Sequence, residues 1–187
     1  YKNYAPPGSV GREMNANLAD RLVRMDLLDQ AAGLLEHQMR TDAEKAQRSQ
    51  LGAKVATIHL LNHEPKKALR ALQDSVYGEN PSQLHQLRNR LAAEALMELG
   101  DTDKSWQILA QDDSVDAERI RLSILWEKRD WPRIVHTVEN LLKARKDITA
   151  QITLEESEHV IQLALAYIFE NNQEQLQYLR DYFTPLM

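Results

Sequence analysis

Two histidines, His59 and His63, are the first residues whose spacing could support chemistry. They stand four residues apart in the segment HLLNH, and on a helix this spacing places two imidazoles on one face, where they could bind a metal ion. The glutamate of the zinc-protease pattern HExxH is absent from the segment. His59 also occupies a position at which related segments carry leucine or tyrosine. We therefore interpret His59 as a packing residue and His63 as a helix corner, and we predict no metal site.

Other catalytic groupings are not indicated by the sequence. It contains no cysteine, which excludes disulfides, thiolate metal ligands and cysteine nucleophiles within it. No serine, histidine and acid occur in a recognisable nucleophile context, and no glycine-rich loop follows a predicted strand. We therefore predict a protein that is not an enzyme and that uses no cofactor.

Tryptophan and arginine are concentrated in the third quarter of the chain. Residues of these two types are enriched at the energetic centres of protein interfaces. Packing inside the protein is the alternative for each tryptophan, and both interpretations stay open from the sequence. The residues concerned are Trp106, Trp126 and Trp131, with Arg119, Arg121, Arg129 and Arg133.

Composition narrows the class of protein. The 187 residues are 43% hydrophobic and 27% charged, as is usual for a folded chain. The net charge is −5 with both signs interspersed, so the basic stripe that nucleic acid binding requires is missing. No apolar run approaches the roughly 20 residues of a membrane-spanning helix. Because the sequence begins at Tyr1 rather than methionine, we expect it to be a piece of a longer protein.

Hydrophobic spacing predicts helices throughout and no strand. Residues 1–13 contain two prolines and two glycines without an apolar period, so we predict a linker there and a single domain over 14–187. Asp101 and Asp130 are expected to cap helices, and Thr153 with Glu156 forms a predicted capping box. The predicted helices are 14–25, 27–39, 42–61, 65–75, 83–99, 102–111, 115–128, 131–145, 154–170 and 173–183.

The ten helices group into five hairpins that can be aligned on one residue early in each second helix. These anchors are Ala31, Ala68, Ser105, Ile134 and Leu176, at intervals of 37, 37, 29 and 42 residues. Five residues before each anchor is a corner, where we expect a positive φ. Asp, His, Gly and Asn tolerate that conformation best, so the arginine of the fourth copy is an exception. The corner residues are Asp26, His63, Gly100, Arg129 and Asn171.

The alignment also predicts the core. In four of the five copies, one apolar residue lies twelve residues before the anchor and another lies four residues after it. This spacing is expected where two helices approach closely. The predicted core residues are Ala19, Leu22, Ala31, Leu35, Ala56, Leu60, Ala68, Leu72, Ala93, Leu96, Leu109, Leu122, Leu125, Ala164 and Tyr167.

This pattern resembles the tetratricopeptide repeat, in which alanine, a large residue, a corner, alanine and leucine recur in this order. The matching residues are Ala19, Leu22, Ala31 and Leu35 in the first copy, Ala56, Ala68 and Leu72 in the second, Ala93, Leu96, Gly100 and Leu109 in the third, and Ala164 and Tyr167 in the fifth. The proline that ends the family's second helix is missing from every copy. The sequence also looks like the C-terminal region of large alphaproteobacterial tetratricopeptide proteins. The resemblance implies an all-α, right-handed α-solenoid of about five hairpins that acts as a protein–protein interaction scaffold.

In this family the first helices of the hairpins line a binding groove. The corresponding positions include Asp20, Arg24 and Thr57 in the first two copies, and we place the partner-binding surface on the third and fourth copies, at Arg90, Glu94, Arg119 and Trp126. The lysine and asparagine set that binds a peptide's terminal carboxylate is not reproduced. The expected partner is a protein or peptide. The alternative is a structural spacer or self-association segment, which would form a homo-oligomer.

Overall fold

The computed structural model describes residues 8–41, 45–76, 81–143 and 151–183. These ranges form ten α-helices and contain no strand, which confirms the predicted all-α class. The helices are α1 (Ser9–Arg24), α2 (Leu28–Thr41), α3 (Lys45–Leu61), α4 (Pro65–Asp74), α5 (Ser82–Glu98), α6 (Thr102–Ile108), α7 (Val115–Glu127), α8 (Trp131–Lys143), α9 (Leu154–Phe169) and α10 (Gln173–Phe183).

The helix boundaries follow the sequence pattern to within three residues, except at the start of α1. This helix begins at Ser9 rather than at residue 14, so it extends into the segment predicted as a linker. The reason is that the strong helix breakers end at Gly8, which has a φ of 86°, whereas a single interior glycine costs a helix only about 1 kcal/mol. Gly11 is buried within α1. Residues 1–7 lie outside the described ranges.

The chain divides into two compact units, Tyr1–Ile120 and Arg121–Met187, with the boundary inside α7. In the first unit each helix from α1 to α5 packs against the next one, and α3 also packs against α5. In the second unit α9 packs against both α8 and α10. The prediction of one domain over 14–187 stays a prediction.

Most of the predicted core is buried. Ala31, Ala56, Ala68 and Ala93 have no exposed surface, so the helices approach closely at these small side chains. Leu22, Leu96 and Ala164 are half-buried instead. The other eight predicted core residues are buried as well: Ala19, Leu35, Leu60, Leu72, Leu109, Leu122, Leu125 and Tyr167.

The five predicted corners share one backbone geometry. Their φ values are 60° at Asp26, 54° at His63, 82° at Gly100, 53° at Arg129 and 60° at Asn171. The prediction of positive φ is therefore confirmed even for the arginine. In an ordinary residue this conformation costs roughly 1–2 kcal/mol, so the surrounding hydrogen bonds must impose it.

Those hydrogen bonds are the same at every corner. The corner N–H donates to the carbonyl three residues earlier, and the next N–H donates to the carbonyl five residues earlier. At the fourth corner, for example, Arg129 N–H donates to Trp126 at 3.0 Å and Asp130 N–H to Leu125 at 2.9 Å. This pair of bonds defines the Schellman ending of a helix. Each anchor N–H then donates to the carbonyl four residues before it, which starts the second helix.

The predicted caps are present at three of the helix starts. Asp101 accepts a hydrogen bond from the Lys104 amide at 3.3 Å, and Asp130 accepts one from the Arg133 amide at 3.3 Å. The Thr153 hydroxyl accepts from the Glu156 amide at 3.2 Å, and the Glu156 carboxylate accepts from the Thr153 amide at 2.7 Å. The predicted capping box is therefore confirmed.

A buried polar cluster joins α3, α4 and α5. Arg88 from α5 donates to the Ser49 carbonyl at 2.6 Å, to the Ser75 hydroxyl at 3.0 Å and to the Leu72 carbonyl. Because Leu72 lies at the carboxyl end of α4, the guanidinium binds a carbonyl oxygen in the last turn of that helix. Burial lowers the pKa of Arg88. Gly52 lies against this cluster, where an added Cβ would stand 2.3 Å from Ser75 Cβ.

Candidate functional site

A cleft of about 380 Å³ in the first unit is lined mainly by α1 and α3. Its walls include Asp20, Arg24 and Thr57, the three positions that the tetratricopeptide resemblance assigns to a groove in the first two copies. Lys54 adds a further charged side chain, and Leu61 contributes an exposed apolar one. The arrangement offers charges of both signs beside apolar surface, which suits a peptide or protein surface.

Arg90, the first residue of the predicted partner surface, is engaged within the chain. Its side chain is 16% exposed, and one guanidinium nitrogen donates to Asp112 at 2.9 Å and to the Ser114 hydroxyl at 3.3 Å. The Asp112 carboxylate also accepts from the Ser114 amide at 3.0 Å, and the Ser114 hydroxyl accepts from the Ala117 amide at 3.2 Å. Since Ser114 thereby caps α7, Arg90 holds the loop before α7 onto α5.

The charge states around Arg90 follow from these contacts. Burial acts to raise the pKa of Asp112, but hydrogen bonds from Ser114 and Arg90 outweigh it and hold the pKa below its usual value. Glu94 lies one turn further along α5, where burial raises its pKa and the neighbouring carboxylates of Glu98 and Asp116 raise it further. Arg90 acts in the opposite direction and lowers the pKa of Glu94, and a further cation placed beside Glu94 would lower it in the same way.

Arg119 is the exposed member of the predicted set. Its guanidinium lies 3.5 Å from one oxygen of Asp116, whose other oxygen is 3.8 Å from the guanidinium of Arg90. The structure therefore brings three of the four predicted residues, Arg90, Glu94 and Arg119, together around Asp116. The fourth residue, Trp126, belongs to the second unit.

Trp126 is half-buried and packs within an aromatic group of the second unit. Its ring lies edge-on to Trp131, with centroids 5.4 Å apart and an angle of 82° between the planes. Trp131 in turn stacks on Phe169 at 4.4 Å and 16°. The packing alternative, which the sequence left open for the tryptophans, therefore applies to Trp126 where it contacts Trp131.

His59 lies in α3 and is buried. One ring nitrogen is 3.0 Å from the Glu36 carboxylate, and the other is 3.0 Å from that of Glu64. His63 is exposed at its corner. His59 thus links α2, α3 and the residue before α4, in agreement with the interpretation that it packs inside the hairpins. Across the described ranges, no three histidine, cysteine or acidic side chains are grouped as a metal ion would require.

The sequence reasoning missed an apolar surface on α9 and α10. Successive exposed side chains on α9 share one helical face, because they are spaced at seven, four and three residues. Tyr178 of α10 is also exposed and stacks near Tyr182 at 6.1 Å. The sequence could have indicated this surface, because α9 has more apolar residues than one buried helix face requires. The α9 residues are Leu154, Ile161, Leu165 and Ile168.

Comparisons with other proteins add no family assignment. No protein-family model matches the chain, and no curated protein or solved structure matches it significantly. Within the described ranges, every helix is too short or too polar to cross a lipid bilayer.

Proposed function

We propose that the chain is a tetratricopeptide-like, right-handed α-solenoid that acts as a noncatalytic protein–protein interaction scaffold. The observation that carries the proposal is the recurrence of one corner geometry at Asp26, His63, Gly100, Arg129 and Asn171. A hairpin that repeats with the same helix ending and the same start of the next helix is the unit from which such scaffolds are built. The cleft along α1 and α3 supports it, because it contains the groove positions of the first two copies.

The residues that we propose for partner binding remain the four predicted ones, three in the first unit and Trp126 in the second, and they have different roles. Arg119 offers an exposed positive charge, and Glu94 offers a carboxyl group whose pKa is raised by burial and by neighbouring carboxylates. Trp126 offers apolar area. Arg90 positions the start of α7 rather than reaching a partner directly, because its guanidinium is held by Asp112. Losing a central interface residue commonly costs 2 kcal/mol or more, or about thirtyfold in affinity.

Affinity capture with matched variants tests this proposal. The tagged chain, Arg119→Ala and Trp126→Ala would each be incubated with extract of the source cells, and the proteins retained would be quantified by mass spectrometry. We expect a distinct protein to be retained by the original chain and depleted about thirtyfold or more with either variant, at the magnitude of an interface hot spot. Circular dichroism would establish that each variant is folded.

Two outcomes would contradict the proposal at different levels. Recovery of no protein other than the tagged chain and copies of itself would reject the scaffold function. Unchanged retention of the same partner by both folded variants would place the binding surface elsewhere on the chain.

A second function, self-association, is favoured by one specific observation, the exposed apolar face of α9. Contiguous exposed apolar surface commonly marks a protein contact. Sedimentation over a range of concentrations tests this alternative. A concentration-dependent dimer that Ile161→Glu abolishes would support a spacer or self-association segment, whereas a monomer at all concentrations would exclude it.

A further inference from the structure

The second unit contains a cleft of about 460 Å³ between α8, α9 and α10. Its volume falls in the range of roughly 300–1,000 Å³ that is typical of small-ligand sites. The walls combine aromatic side chains with a single carboxylate. They include Glu139 and Lys143 from α8, Tyr167 from α9, and Tyr178 and Tyr182 from α10.

One oxygen of the Glu139 carboxylate has a fixed partner, and the other has a partner that a ligand can replace. The Tyr167 hydroxyl donates to one of its oxygens at 2.7 Å, and the Lys143 ammonium donates to the other at 2.8 Å. Tyr167 is buried, so it orients the carboxylate, whereas the Lys143 side chain is 70% exposed. An exposed lysine–carboxylate pair contributes little, because solvent screens the two charges. A stronger cation can therefore replace Lys143.

Glu139 is also charged at neutral pH. The hydrogen bond from Lys143 lowers the pKa of Glu139 most, and the hydrogen bond from Tyr167 lowers it further, against a smaller opposing effect of burial. Burial and the Glu139 carboxylate both raise the pKa of the Tyr167 hydroxyl. The hydroxyl therefore stays protonated and donates its hydrogen bond to Glu139. The cleft thus contains an ionised carboxylate, whose charge becomes available to an entering cation once that cation replaces Lys143.

The aromatic side chains favour a flat cation. Tyr178 is 65% exposed and Tyr182 is 39% exposed, so each has ring surface available to a ligand. A cation placed over the face of a tyrosine ring is attracted by the electrons of the ring. Guanidinium combines this stacking with two parallel hydrogen bonds to a carboxylate, which an ammonium group cannot form.

We propose that this cleft binds an arginine side chain of a partner peptide, with the guanidinium on Glu139 in place of Lys143 and its face against Tyr178 or Tyr182. The proposal rests on the interaction function proposed above and names one residue type that the partner must supply. The partner segment is accordingly basic. The charge of Glu139 and the exposed tyrosine rings together select arginine over a neutral side chain of similar size.

The test is a nuclear magnetic resonance titration with two blocked tripeptides. One is acetyl-Gly-Arg-Gly-amide, and the other carries citrulline, a neutral near-isostere, in place of arginine. With labelled tyrosine rings, we expect the arginine peptide to shift the signals of Tyr178 and Tyr182, assigned from their phenylalanine variants. Its affinity should exceed that of the citrulline peptide about tenfold, as expected for hydrogen bonds to a charged group.

Variants of α8 and α10 separate this site from general charge attraction. Glu139→Gln should weaken arginine-peptide binding about tenfold, because the amide keeps the shape and loses the charge. Lys143→Met should tighten it severalfold, because the competing ammonium is gone. Glu174→Gln is the matched control. Glu174 is exposed on α10, so this substitution removes the same charge at a position away from the cleft. It should leave the affinity unchanged.

The proposal is overturned if both peptides bind equally, if Glu139→Gln and Glu174→Gln behave alike, or if the shifted signals lie outside the cleft. Its failure is distinct from failure of the scaffold function. If the Glu139→Gln variant retains a captured partner fully, the scaffold function is supported and the arginine site in the cleft is rejected. If the arginine peptide binds as expected but no partner is captured, the arginine site is supported and the scaffold function is rejected.

Discussion

The two units of the chain place their charged and aromatic side chains differently. In the first unit Arg88 and Arg90 are turned inward, where they bind carbonyl oxygens and a buried carboxylate. In the second unit the aromatic residues Tyr178 and Phe169 are exposed. Arginine and aromatic residues are the types that protein interfaces prefer, yet here the two arginines hold helices together while these two aromatic residues lie on the surface. Residue type alone therefore does not locate a binding surface.

The largest expected effect is a difference in stability between variants of two arginines, both of which the sequence analysis assigned to the partner surface. Arg90→Ala removes one partner of a mostly buried ion pair and should lower the free energy of unfolding by roughly 3 kcal/mol. The Arg119 side chain is about half exposed, so solvent screens its charge, and Arg119→Ala should cost only about 1 kcal/mol. Urea denaturation of both variants measures the difference. Equal losses would show that Arg90 does not hold the loop before α7.

The pH dependence of stability sharpens the same comparison. Because the folded-state pKa of Asp112 is lowered, its stabilising contribution is fully present above the unfolded pKa of about 3.9 and is lost as the pH falls through the folded value. We expect the difference in unfolding free energy between the original chain and Asp112→Asn to be constant from about pH 6 to pH 8 and to shrink below about pH 4. A difference that stays constant into acid would contradict the lowered pKa.

A smaller effect is expected at the packed junction of α3 and α4. Gly52→Ala places a Cβ 2.3 Å from Ser75 Cβ, which rotation of the serine side chain cannot relieve. The helices must separate, at a cost of about 1–3 kcal/mol. Gly33→Ala is the matched control, because its added Cβ meets nothing within 4 Å in α2. It should stabilise by about 0.5–1 kcal/mol. Thermal melts in which both variants lose stability equally would reject the close approach.

The smallest effects compare one corner from each unit. Gly100→Ala, in the first unit, adds a Cβ that meets no atom within 4 Å but has to adopt a φ of 82°, so it should destabilise by about 1 kcal/mol. Arg129→Gly, in the second unit, relieves the same strain at a φ of 53° and should stabilise by about 0.5–1 kcal/mol. Opposite signs in denaturant midpoints are the expected result. Destabilisation by both would mean that Arg129 makes contacts that outweigh its conformational strain.

The helices and corners could be predicted because their causes are local in sequence. Apolar spacing marks each helix, and the residue types at Asp26, His63, Gly100 and Asn171 mark the turns between helices. Arg129 could not be recognised from its type. Alignment with the other copies identified it, because the hydrogen bonds of the corner impose its positive φ.

The side-chain contacts could not be predicted, because they join residues far apart in the sequence. Arg90 is 22 residues from Asp112, and Arg88 is 39 residues from Ser49. Helical spacing shows which face carries an arginine, but not which element lies opposite that face. The same limit applies to the cleft around Glu139, where the nearest buried partner, Tyr167, is 28 residues away.

The most direct test of a repeated hairpin is the backbone conformation of its corners in solution. Chemical shifts and N–H to Hα couplings of the labelled chain report φ at each residue. We predict positive φ at all five corners, Asp26, His63, Gly100, Arg129 and Asn171, with a negative φ at the residue before each of them. A negative φ at Arg129 and Asn171 would contradict it, because the repeat would then end within the first unit.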